Sequence, residues 1–219
     1  MRTIVAVVLA LLVCAAPVRA ADVDAFQHPT TGKALLETIL AAPARTLADA
    51  HVLRGRFVHE KHLAEIPQPL KSQGEFTYVR GLGVHWHTKQ PFDSEFVLTQ
   101  EGILQRDEGT ETLRLSAQEQ PAVRVIADIF LALFTLDVTS LSASFDLYGK
   151  SQGERWIVGL RPKTETIGTV FKEATIKGAK DVEQVVLSDA HGDRTVIRLE
   201  DVRYSSDEPD ASVRVLFER

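Results

Sequence analysis

His59-Glu60-Lys61-His62 and His85-Trp86-His87 group side chains that could chelate a metal or move a proton. Spacing separates the two groups. On an extended strand His85 and His87 project from one face and could chelate together, whereas His59 and His62 project from opposite faces. No cysteine and no third ligand at a fixed spacing accompanies either group, so they are read as solvent-face histidines and no metal is assigned. Asp189 and Asp193 flank His191, but His191-Gly192-Asp193 is the chemistry of a hairpin turn. The chain holds no Gly-x-Ser-x-Gly elbow, His-Glu-x-x-His helix, glycine-rich phosphate loop or Ser-x-x-Lys. No catalytic residue and no cofactor is assigned, and a binding protein is expected in place of an enzyme.

The elements around these residues are mostly short strands. Val84, Trp86 and Thr88 share one face of a period-2 ladder, which is therefore apolar, and His85 and His87 share the other. Strands are expected over His51–His62, Lys71–Tyr78, Val84–Thr88, Glu95–Thr99, Gly102–Asp107 and Glu111–Leu115, separated by Gly81-Leu82-Gly83, Pro91-Phe92-Asp93, Glu101-Gly102 and Glu108-Gly109. Pro121–Phe134 breaks the pattern. Its apolar residues recur at i, i+3, i+4 and i+7 and spread until little polar surface remains, so it reads as a helix that is greasy on more than one side. A poorer helix is placed at Ser140–Ser144. Strands resume over Phe145–Lys150, Arg155–Pro162, Phe171–Lys177, Val182–Asp189, Arg194–Tyr204 and Val213–Phe217. Before them all, Gly32–Ala42 reads as a short amphipathic helix capped by Thr30 or Thr31 and stopped by Pro43.

Arg2, the apolar run Ile4–Ala16 and the Val18-Arg19-Ala20 pattern make residues 1–20 a secretory signal, and 21–219 one domain. Acylation at Cys14 is disfavoured because Val13 precedes it. Losing Arg2 and Arg19 takes the net charge from -5 to -7. The mature chain would hold no cysteine, so its stability must come from a core and not from disulfides. An acidic chain without a block of Lys or Arg does not suit nucleic acid or an anionic membrane surface.

The order Gln73-Gly74-Glu75-Phe76, then Arg80, then Trp86-His87 and Gln90-Pro91 resembles the periplasmic lipoprotein carrier family, the LolA type, as a divergent branch. The likeness covers Phe57 to Gly102. Gly81 departs from it, since that family often has Pro after the Arg.

The resemblance implies a single curved antiparallel sheet forming an unclosed barrel, with a helical lid over an apolar cavity. It implies that Arg80 latches the lid by bonding its backbone carbonyls, which a guanidinium with five donors can do. Without it, Arg80 reads as a solvated strand-end residue. Candidate cargo-binding residues are Phe57, Phe76, Tyr78, Trp86, Phe96, Leu98, Ile126, Ile129, Phe130, Leu133, Phe134 and Trp156, any of which could instead be plain core. The implied role is a monomeric periplasmic carrier of acylated lipoprotein, loaded by an inner-membrane transporter and unloaded to an outer-membrane acceptor. Burial of an acyl chain contributes about 0.8 kcal/mol per methylene, so no covalent step is needed. The alternatives are a glycolipid or polyene-lipid carrier of an export pathway, a lipoprotein-sensing domain, and a structural β protein with a filled core.

Overall fold

In a computed structural model, residues 24–169 and 171–218 are described, and the expected signal at 1–20 lies outside them. The alternating segments build one 12-stranded antiparallel sheet that does not close, in the order β1-β8-β9-β10-β11-β12-β2-β3-β4-β5-β6-β7. β1 is Pro29–Thr30, and the first meander is β2 (Val52–His62), β3 (Leu70–Val79), β4 (Gly83–Gln90), β5 (Ser94–Thr99), β6 (Gly102–Asp107) and β7 (Thr110–Ser116). The second is β8 (Phe145–Gln152), β9 (Arg155–Pro162), β10 (Glu173–Gly178), β11 (Val182–Ser188) and β12 (Arg194–Ser205). Gly81 at φ 76° and Gly83 at φ 148° turn β3 into β4, a conformation that side chains rarely adopt. The meanders join where β12 pairs with β2, Ile197 opposite His59 and Leu199 opposite Phe57.

One apolar cluster takes Leu53, Phe76, Val84, Phe145, Val158 and Ile176 from strands between β8 and β4 in the sheet order. Those eight strands would span about 34 Å if flat, so one shared cluster requires the sheet to curve around it. The helices fill the hollow. They are α1 (Gly32–Ala34) running into a π-helical turn Leu35–Ile39, α2 (Ala41–Asp49), α3 (Pro121–Thr135) and α4 (Val138–Ser144), with the short α5 (Glu165–Gly168) between β9 and β10. Thr31 caps α1 by accepting from the Ala34 N–H at 3.2 Å, as its position suggests.

Two expectations fail. Pro43 does not stop a helix but lies in the first turn of α2, where a missing N–H costs nothing. Val213–Phe217 is not a strand: α6 (Ala211–Arg214), capped by Asp210, runs into a 3-10 turn Val215–Phe217. Val213 and Phe217, four residues apart, thereby fall on one side and pack over Val52, Val79, Val97 and Leu104 on the outer face of the sheet.

Candidate functional site

Inside the curve, α2 and α3 leave a small apolar cavity of about 60 Å³. Leu47 of α2 and Phe134 of α3 form its cover, Phe76 and Trp86 one wall, and Val185, Leu187, Ile197, Leu199, Val202 and Tyr204 the other. Register explains the grouping. Phe76 lies opposite Trp86, which lies opposite Phe96, so the three share a rung of the inner face. Phe57, one strand over, stacks on Trp86 with ring centroids 3.9 Å apart. Gly55 lies opposite Phe76 across β2 and β3, and a Cβ there would come within 2.7 Å of the Phe76 ring.

Trp86 is therefore sandwiched, and Phe134 closes the stack from above at 5.8 Å from Phe76 and 6.2 Å from Tyr78. A cavity of about 150 Å³ is the size that admits benzene. The cavity bounded by the described residues is smaller than that.

Arg80, just past the end of β3, reaches the C-terminal end of α2. Its Nη2 donates to the Leu47 carbonyl at 2.6 Å and its Nε to the Ala50 carbonyl at 3.1 Å. Both acceptors lie at the C-terminal end of α2, where a cation is favoured by the dipole, and the Leu47 carbonyl also accepts from the Ala50 N–H at 3.3 Å. The carbonyls that Arg80 bonds are thus those of α2, not of the greasy helix, although α2 touches α3 and places Leu47 in the cavity.

Of the candidate cargo residues, Phe76, Trp86 and Phe134 line the cavity. Phe57 is buried behind Trp86. Tyr78 lies under Phe134 and borders an open groove along α3 and α4 instead. Leu98 and Phe96 pack with Ile103, Val123 and Ala127 beneath the first half of α3. Trp156 is core, its indole N–H donating to the Ala179 carbonyl at 2.6 Å. The side chains of Ile126, Ile129, Phe130 and Leu133 lie outside the described residues. Sequence reasoning missed Leu47 and the whole β11–β12 wall. The alternation of Val185, Leu187, Ile197 and Leu199 was visible, but nothing in it tells an inner from an outer face.

The histidines have structural roles. His87 Nε2 pairs with Asp93 Oδ2 at 2.8 Å, and His85 Nε2 lies 3.9 Å from Glu95. His85 is not a solvent-face residue as expected: it is 6 % exposed, because the C-terminal turn packs on β4 and β5. Burial holds its imidazole below the usual range, with Glu95 opposing. His59 faces inward, paired to Ser72 Oγ at 3.2 Å, and its imidazole is likewise held low by burial and then by Lys61. Asp189 accepts from the backbone N–H groups of His191 and Asp193, so these residues build the β11–β12 turn.

Residues 48–212 match the family model described as outer membrane lipoprotein carrier protein LolA. An outer-membrane lipoprotein carrier protein of Pseudomonas putida KT2440 is 29% identical over 150 residues, 66% of this chain and 67% of its own length. Its counterpart in strain GB-1 is 29% identical over 147 residues, 64% of this chain and 66% of its own. Among solved structures, a LolA superfamily protein from Nitrosomonas europaea is similar with a TM-score of 0.45 and 9% identity, over 87% of this chain and 98% of that one.

Proposed function

This chain belongs to the outer membrane lipoprotein carrier (LolA) family, and from that premise we propose that it carries the acyl chains of lipoproteins through the periplasm in the space between α2, α3 and the inner face of the sheet. The cavity under Leu47 and Phe134 supports this reading most directly, being apolar, small and roofed by two helices, one of them tied down from outside by Arg80. Cargo opens the roof and replaces Phe134 against Phe76 and Tyr78. The roof closes again as cargo leaves, and Arg80 re-forms its bonds to α2. An inner-membrane transporter delivers the lipoprotein, an outer-membrane acceptor takes it, and neither cofactor nor catalytic group takes part.

Lipid extraction tests the proposal. Protein purified from periplasm should release acylated peptide or diacylglyceryl lipid, and the empty protein should bind a fluorescent fatty acid in competition with it. If no lipid is recovered and the fluorescent fatty acid is not bound by either wild type or Arg80→Leu, the interior is simply a core and the proposal fails.

A further inference from the structure

Three large apolar side chains stand out in water at one end of the sheet: Phe92 at 71 % exposure, Leu70 at 55 % and Ile66 at 46 %. They sit on two neighbouring hairpins. Residues 63–69 join β2 to β3 and residues 91–93 join β4 to β5, so both connections lie at the same end, about 10 Å apart at two strand spacings. The rung Gln73–Gln90, bonded side chain to side chain at 2.7 Å, marks the level of the shorter hairpin. Leu70 lies three residues beyond it, roughly 10 Å further out. The longer hairpin is braced from its other side, where the Ala64 N–H donates to Asp193 in the β11–β12 turn.

Charge around these tips is mixed in sign. Glu60 is shared by Lys71 and Arg198, each at 3.2 Å, Lys89 pairs with Glu75 at 2.7 Å and His87 with Asp93 at 2.8 Å, while exposed Lys61 and Glu65 add one charge of each sign. Apolar groups held out by a braced scaffold, among charges of both signs with no block of one sign, fit a medium without net charge better than a polyanion or an acidic peptide. The inner face also runs toward this end. Ile197 of the cavity wall is on the rung of His59 and Ser72, and the next inward rung is that of Lys61 and Leu70.

We propose that Ile66, Leu70 and Phe92 form a membrane-docking rim that inserts into the surface of a zwitterionic bilayer and sets the open end of the sheet against the lipid. The surface stands on these side chains alone, and the carrier reading gives it a purpose: an alkyl chain passing this end would meet lipid and not water.

The test uses the full mature chain and vesicles of phosphatidylcholine. Wild type should float with the vesicles, and Phe92→Ser and Ile66→Ser should each weaken this at least about tenfold, the size expected for one large apolar side chain. Raising salt from 0.1 to 0.5 M should leave binding within about twofold. Both variants should bind the fluorescent fatty acid as wild type does, which separates failure of the rim from failure of the carrier reading. Wild-type binding that is absent, that is unchanged in both variants, or that is abolished by salt would overturn the rim. So would a wild-type dimer that the variants convert to monomer without vesicle binding, since the tips would then cover each other.

Discussion

Arg80 carries the sharpest single-residue consequence. In the proposed opening of the roof its two bonds to α2 would be lost, and the residue is exposed, so Arg80→Leu should forfeit about 1 to 3 kcal/mol and shift the roof toward open by roughly 5- to 150-fold. Fatty-acid binding should therefore be equal to or tighter than wild type, while transfer from loaded protein to an acceptor membrane slows. Equal transfer at equal loading, with an unchanged circular dichroism spectrum, would make Arg80 an ordinary surface residue. His85 sets a pH dependence. Its folded-state pKa is depressed by burial, so as pH falls through about 6.5 the unfolded chain takes up the proton first and stability drops toward the lower folded value. The urea midpoint should fall between pH 7.5 and 5.5, and His85→Gln should remove part of that fall, the remainder belonging to His59, which is shifted in the same direction.

At the scale of elements, α3 meets the cavity through Phe134, which is half-buried, stacked on Tyr78 and tilted against Phe76. Phe134→Ala should cost less than the roughly 3 to 5 kcal/mol of a fully packed Phe, because one side of the ring already faces a void. It should also enlarge that void to a size that takes benzene, so benzene should raise the melting temperature of the variant and not of wild type. Much of this was legible in sequence. Strong alternation gave most of the strands close to their observed bounds, and the greasy run gave α3 to within a residue. The losses have physical causes. Pro43 can open a helix as well as end one, so α2, and with it Leu47 and the acceptors of Arg80, went unseen. Val213-Arg214-Val215-Leu216-Phe217 reads as a strand until Asp210 is recognised as a cap.

For the whole molecule, the expected compartment makes a prediction of its own. Protein recovered from the periplasm should begin at Ala21 and show an intact mass without an acyl group. A lipid-modified Cys14 at a new N-terminus would replace the free carrier with an anchored one. The inner and outer faces of the sheet were the least legible feature at this scale. Alternation says which residues share a side, and only the docking of α2 and α3 on one side and of the C-terminal turn on the other says which side is in. Trp86 and Val97 are equally apolar in sequence, yet one lines the cavity and the other lies beneath Phe217.

The pairing of β12 with β2 also governs how the chain reaches this shape. The strands on either side of that seam are built from hairpins that close locally, whereas the seam joins residues 52–62 to residues 194–205 across most of the chain. Local hairpins form quickly, and a junction of such long range must wait for a large loop to close. The first meander is then a sheet with its β2 edge bare, and Phe57, His59 and Arg56 wait for partners that arrive last. A chain stopped before residue 194 would hold half a cavity and an open edge, the state most exposed to aggregation. Gly55→Ala, which crowds Phe76 and the Glu200 carbonyl beside the seam, should slow refolding more than the same change at Gly168, where a Cβ meets nothing, and stopped-flow tryptophan fluorescence would read the difference.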